Sequence, residues 1–174
     1  MAKIHSIKII NFRGIKGFSQ SFTSNLVCII GRGDSGKSTI LDAILNVLSP
    51  SWNITFHDND FFNCNTSDPI NIEATVTDLP EAFLKENKFG LYIRGLAKAT
   101  NAISDEIEDD HEKALTIQLI VKKDLEPKWF VINGRQSEPI AISAYDRAKP
   151  NAFMISDYID RHFSWSKGIH YMRY

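Results

Sequence analysis

The chain has 174 residues, 43% hydrophobic and 24% charged, with a formal charge of −1 at neutral pH. That length gives room for one domain with a real core, and the balance of charge gives no global pull toward nucleic acid or membrane surfaces. No apolar run approaches the roughly 18 residues of a membrane span, and the start, Met-Ala-Lys-Ile-His, lacks the apolar stretch of a signal peptide. Cys28 and Cys64 are too few and too isolated for a disulfide framework or a zinc site. The expectation is a cytoplasmic protein that makes no membrane contact.

Lys3 to Phe12 reads as a strand, with isoleucine at 4, 7, 9 and 10, closed by a turn over Asn11-Phe12-Arg13-Gly14-Ile15. Phe18 to Phe22 alternates apolar and polar residues and is expected to pair back on the first strand. Leu26-Val27-Cys28-Ile29-Ile30 is a continuous apolar run, which predicts a strand covered on both faces, with Cys28 a small core residue. From Lys37 to Leu48 the residues Ile40, Leu41, Ile44, Leu45, Val47 and Leu48 recur at helical spacing, and Ser49-Pro50 stops the helix.

Between the predicted strand and helix lies Gly31-Arg32-Gly33-Asp34-Ser35-Gly36-Lys37-Ser38-Thr39, which fits G-x-x-x-x-G-K-[ST], the phosphate-binding loop or Walker A motif. Its glycines admit dihedrals and close approaches that a Cβ would obstruct. Successive backbone N–H groups then converge on phosphate oxygens, at the positive end of a helix. Lys37 would place a point charge at the β- and γ-phosphates, and the Ser38 hydroxyl would ligate Mg²⁺. ATP and Mg²⁺ are the expected cofactors.

Residues 51 to 69 are polar and rich in turn formers, with His57, Asp58, Asp60 and Cys64 close together. Three readings stay open for them: a metal site, a carboxylate that polarises a Mg²⁺-bound water, or a plain connecting loop. Ile70, Ile72, Ala74 and Val76 alternate with polar residues as a half-buried strand does. Pro80 to Phe89 is a short helix candidate and Leu91 to Ile93 a strand candidate. The run from Asp105 to Glu112 holds six acids in eight residues and reads as a solvated loop. Leu115 to Val121 alternates again, Asp124-Leu125-Glu126-Pro127 turns the chain, and Trp129 to Ile132 returns it to Asn133-Gly134, predicting a hairpin. Trp129 reads as core rather than as a base-stacking platform. From Ala141 the pattern turns helical, with an interruption at Pro150, and Ile155, Tyr158, Ile159 and Phe163 share a face. Arg161, His162, Lys167, His170 and Arg173, interleaved with aromatics, make the tail basic. That mixture suits nucleic acid or an amphipathic segment awaiting a partner.

Ile7-Lys8-Ile9-Ile10-Asn11-Phe12-Arg13-Gly14-Ile15 and then Gly31-Arg32-Gly33-Asp34-Ser35-Gly36-Lys37-Ser38-Thr39-Ile40-Leu41-Asp42-Ala43 resemble the N-terminal lobe of the ABC-type ATPases of the SMC, RecF and OLD group. Asp58-Asn59-Asp60-Phe61-Phe62 and Glu73 to Pro80 are most similar to the OLD ATP-dependent endonucleases. The resemblance implies an α/β fold: a P-loop NTPase lobe of ABC type, with the P-loop strand and helix beside an antiparallel sheet and a helical C-terminal tail. It implies an ATP-binding lobe over 1–140 and the start of a helical segment over 141–174. Nucleotide-binding residues would be Arg13, Gly31, Arg32, Gly33, Asp34, Ser35, Gly36, Lys37, Ser38 and Thr39, with Ser38 on the metal. Glu73, Gln118 and Gln136 are open candidates for the residue that senses Mg²⁺ in this group.

A Walker B strand, four apolar residues ending in Asp, is not found; Val76-Thr77-Asp78 and Ile103-Ser104-Asp105 come nearest. Nor is a Leu-Ser-Gly-Gly-like signature. In the resembling group these lie in a C-terminal lobe, so the chain is expected to lack parts needed for hydrolysis. Its expected partners are that lobe, a second copy or a related subunit at the nucleotide face, and DNA through a full assembly. A non-catalytic nucleotide-binding module that regulates a relative is the competing class.

Overall fold

The computed structural model describes residues 2–84 and 88–150. Strand β1 (Lys3–Phe12) turns into β2 (Ile15–Ser21). After an extended segment and the glycine-rich loop comes helix α1 (Lys37–Leu48). Strands β3 (Ile70–Thr77), β4 (Arg94–Ala97), β5 (Ala102–Ser104), β6 (Glu112–Val121), β7 (Pro127–Ile132) and β8 (Ile140–Ala141) follow, and α2 (Ala144–Arg147) is a single turn. The backbone of the sheet runs β2-β1-β3-β6, and every pairing is antiparallel. On the far side of β6, β7 takes the half from Thr116 to Val121 and β4 the half from Glu112 to Ala114. The β6–β7 pair is the hairpin that the Asp124–Pro127 turn signals.

Register explains the core. Ile7, Ala74 and Ile117 lie side by side across β1, β3 and β6, as do Ile9, Ile72 and Leu119, and all six are buried. Because side chains alternate along a strand, these residues share one face. Helix α1 covers that face with Ile40, Ala43, Val47 and Leu48, at the i, i+3, i+7, i+8 spacing of one helical stripe. The opposite face carries Lys8, Glu73 and Gln118 in register, with Glu73 accepting from Asn71 Nδ2 (3.0 Å) and Gln118 Nε2 (3.4 Å). Glu73 and Gln118 therefore lie across the sheet from α1, and Gln136 sits in the turn after β7.

The C-terminal end of α1 is fastened by residues far away in sequence. Trp129 Nε1 donates to Asn46 O at 3.1 Å, so this indole is core, as its pattern predicts. Arg147, 3% exposed, donates to Ser49 O, Ile142 O and Ser51 O at 2.8–3.0 Å, with its guanidinium 3.9 Å from the Trp129 ring centroid. Burial pulls Arg147 down to about 10, which leaves it charged at neutral pH. The carbonyls beyond a helix C-terminus, its negative dipole end and an aromatic face together take the place of a carboxylate.

Three expectations need correction. Residues 26–30 do not form a strand: Leu26 and Ile30 are 86% and 87% exposed, and Cys28 is exposed rather than in the core. A strand exists only through a neighbour's backbone, and among the described residues none pairs with this segment. Among the described residues between Pro80 and Phe89, only Glu81–Phe83 forms a helical turn, of the 3₁₀ type. Gly90–Tyr92 is another such turn, so the strand begins at Arg94 instead of Leu91. The helical tail predicted beyond Pro150 lies outside the described residues.

Candidate phosphate-binding site

Two backbone positions shape the loop. Asp34 (φ 56°) and Gly36 (φ 83°) both adopt left-handed dihedrals, and Gly36 is the residue from which α1 departs. Only glycine takes the Gly36 conformation without steric cost. The helix's own ladder begins with Ile40 N–H to Gly36 O at 3.0 Å, so the amides of Lys37, Ser38 and Thr39 belong to its open first turn. That turn has neither a side-chain cap nor an acidic residue. It offers N–H donors and a positive dipole end, the chemistry that selects an anion.

Gly31 is needed for a different reason. A Cβ there would stand 2.6 Å from Ser35 Oγ, so the two ends of the loop approach through it. The Lys37 ammonium closes the ring, donating to Gly31 O (3.0 Å), Arg32 O (2.5 Å) and Ser35 Oγ (3.2 Å). A cavity of about 400 Å³ opens on the loop, lined by Asp34 to Thr39 and by Gly14 and Ile15 of the β1–β2 turn. Ile15 also touches the position where a Gly36 Cβ would lie, at 3.7 Å. The volume is in the range of ligand clefts. The structure thus brings Asp34, Ser35, Gly36, Lys37, Ser38 and Thr39 around one cavity, with Gly31 and Arg32 bracing Lys37 from behind. Gly33 lies at the exposed tip of the loop.

Ser38, exposed at the start of α1, supplies one hard oxygen. Mg²⁺ keeps several waters and takes one or two protein ligands beside phosphate oxygens, so a single hydroxyl at the mouth of this cavity fits it.

Arg13 is placed differently from the rest. Its turn lies against the loop, but its guanidinium is outside the cavity, donating from Nε to Asp60 Oδ1 (2.8 Å) and from Nη1 to Asp42 Oδ2 (2.5 Å). Burial works against its charge, yet the bonds to Asp60 and Asp42 outweigh burial and raise its pKa. Its ring neighbour is Phe12, 5.0 Å away, and its own N–H donates to Asp60 O. Asp60 also accepts from His57 N. Asp60 is thus held by Arg13 and by its own turn, while Asp58 is exposed. Asp42 carried no signal in sequence, and Asp60 drew notice only for a metal or a metal-bound water; their pairing with Arg13 is made by the fold alone, across positions far apart.

Comparison with known proteins agrees with this geometry. No curated protein matches the chain. A solved structure from work on ATP-driven dimerisation and DNA-stimulated activation of SMC ATPases superposes with a TM-score of 0.54 at 15% identity, covering 94% of this chain and 92% of that one. At that identity the likeness is one of fold, an α/β P-loop ATPase lobe of the ABC and SMC type. A family model described as AAA ATPase domain matches residues 2–164. The glycine-rich loop, the helix it opens and the sheet beneath therefore belong to a member of the AAA ATPase domain family.

Proposed function

We propose that residues 1–140 are the Mg–ATP-binding lobe of an OLD-like ATP-dependent endonuclease, in which nucleotide state is coupled to DNA processing or anti-phage defence. The observation that carries the nucleotide part is the uncapped, acid-free first turn of α1 opening on a cavity ringed by Asp34 to Thr39. Phosphate oxygens would lie on those amides, Lys37 would exchange its loop carbonyls for them, and Ser38 would hold Mg²⁺, which offsets phosphate charge. The OLD part rests on the Gly-Arg-Gly-Asp-Ser loop and on Asp58 to Phe62.

Residues 141–174 would begin a helical segment; within its described part, Ile142 and Arg147 are already buried against the lobe. The exposed run 26–30 favours a partner that supplies a strand, from a second lobe or from a related ATPase subunit. A RecF- or SMC-like repair ATPase is the second reading, favoured by the likeness to an SMC ATPase structure. Either reading places the protein in the cytoplasm; among the described residues no helix is long and apolar enough to cross a membrane.

The test is calorimetric titration of the chain with Mg–ATP, followed by phosphate release at saturation. Binding is expected with negligible turnover, because no Walker B acid or signature motif is present to complete phosphoryl transfer. Absence of ATP binding would sink the proposal. Rapid turnover abolished by Lys37→Ala would show that a carboxylate in this lobe completes the site.

A further inference from the structure

The Arg13 guanidinium sits between a carboxylate of α1 and one of the turn at residues 58–60. Both contacts join elements that also meet where Phe12 bridges to Phe61 and where the Arg13 N–H donates to Asp60 O. Arg13 itself occupies a left-handed backbone position (φ 47°), which fixes the direction in which its side chain leaves the turn. One residue further on, Gly14 and Ile15 line the phosphate cavity. A cation is thus held beside an anion-binding cavity by two anions, each on a separate element.

We propose that Asp42 and Asp60 are positioning residues of the nucleotide site: they restrain Arg13 at the rim of the cavity, and a bound triphosphate draws it from them. This inference rests on the nucleotide reading given above. The guanidinium engages the carboxylates through Nε and Nη1, and a planar fork of five donors pairs with phosphate as readily as with carboxylate. Transfer of Arg13 to phosphate would also release Asp60, and with it the 57–60 turn, from the P-loop helix. The restraint is therefore a cost set against triphosphate affinity, and a link from the nucleotide to a segment well removed in sequence.

Calorimetric titration with Mg–ATP of the wild-type chain, Asp42→Asn, Asp42→Asn/Asp60→Asn, Arg13→Ala and the triple variant tests this. The double variant is expected to bind ATP about tenfold more tightly, the worth of one competing charge-assisted bond. The gain is expected to vanish when Arg13 is alanine. A gain that persists without Arg13 would show only the removal of two negative charges from the neighbourhood, and would overturn the inference. So would unchanged or weaker binding by the folded double variant. Asp60→Asn also touches the His57 turn, so if the double variant fails to fold, Asp42→Asn alone decides. It lies on the partly exposed face of α1 and is expected to tighten binding severalfold, while unchanged affinity overturns the proposal. A wild-type chain that does not bind ATP, with Lys37→Ala indistinguishable from it, would overturn the nucleotide reading and this inference together. Wild-type binding that Lys37→Ala weakens, with no effect of Asp42→Asn, overturns the inference alone.

Discussion

Replacing Lys37 by alanine separates the ligand chemistry of the loop from its architecture. The ammonium now holds two loop carbonyls and one hydroxyl, at 2.5–3.2 Å. On binding, those contacts are exchanged for phosphate oxygens, so the net gain is the excess of ionic over carbonyl bonding. A hydrogen bond to a charged group contributes about 1.5–3 kcal/mol, and subtracting what the carbonyls already supply places the loss near 1.5–2 kcal/mol. That is roughly a 10- to 30-fold rise in Kd at 25 °C. Binding would not disappear, because the amides of the first turn of α1 remain. Lys37 is only half-buried and touches loop atoms alone, so the thermal midpoint should move by less than ~4 °C, the shift that about 1 kcal/mol produces in a domain of this size. Calorimetry with Mg–ATP and thermal denaturation on the same samples check both halves. An unchanged Kd in a variant of wild-type stability would refute the assignment of Lys37 to phosphate.

Replacing the exposed pair Leu26 and Ile30 by serine should alter the stability of the chain by no more than about 0.5 kcal/mol per site; losses of 2 kcal/mol or more, as for core positions, would mean that the segment is buried in solution. Arg147→Met should cost about 2–4 kcal/mol in chemical denaturation, because three carbonyls, that of Ile142 buried, lose their donor and Trp129 its cation; a loss below 1 kcal/mol would refute its anchoring role. Asp146 is pushed up by burial but pulled further down, to about 2, by hydrogen bonds from Lys149, Lys88 and Ser143. Its contribution, up to ~2 kcal/mol, is present above pH ~4 and is lost as pH falls toward 2. Asp146→Asn should therefore flatten the acid limb of the stability–pH curve while lowering the neutral plateau. An acid limb of unchanged steepness in that variant would contradict the linkage.

Strands β3 and β6 were legible because apolar and polar residues alternate along them, β1 by its run of isoleucines and β7 by the turn that returns the chain before it, and α1 because its apolar stripe and its stop at Ser49-Pro50 agree. The loop was legible as a motif since its chemistry is local: nine consecutive residues contain the turn, the charge and the hydroxyl. What failed was whatever depends on a neighbour. Leu26 to Ile30 has the composition of a buried strand, yet burial and pairing are supplied by other segments, and five apolar residues in a row cannot show whether those are present. Arg147 carries no signal in the sequence, because Trp129 and the end of α1 reach it only in the fold. Arg13 is expected at the nucleotide and is proposed there; what the sequence does not show is its two carboxylates, on α1 and in the 57–60 turn, which become visible only when β1 and Phe61 meet.

The pairing of β1 with β3 has a consequence for the order of folding and for local motion. Ile7 meets Ala74, so the whole stretch that carries the extended segment, the loop and α1 is one long excursion between adjacent strands. Closing an excursion of that length is entropically slow, and rates fall as contacts become less local. Once the strands are joined, however, the excursion can open without unzipping them. Hydrogen exchange should show this as two tiers: amides of β1, β3 and β6 exchanging only with global unfolding, and those from Thr23 to Ser35 exchanging through local opening. A ligand that grips the loop would then slow exchange in the second tier while leaving the first unchanged.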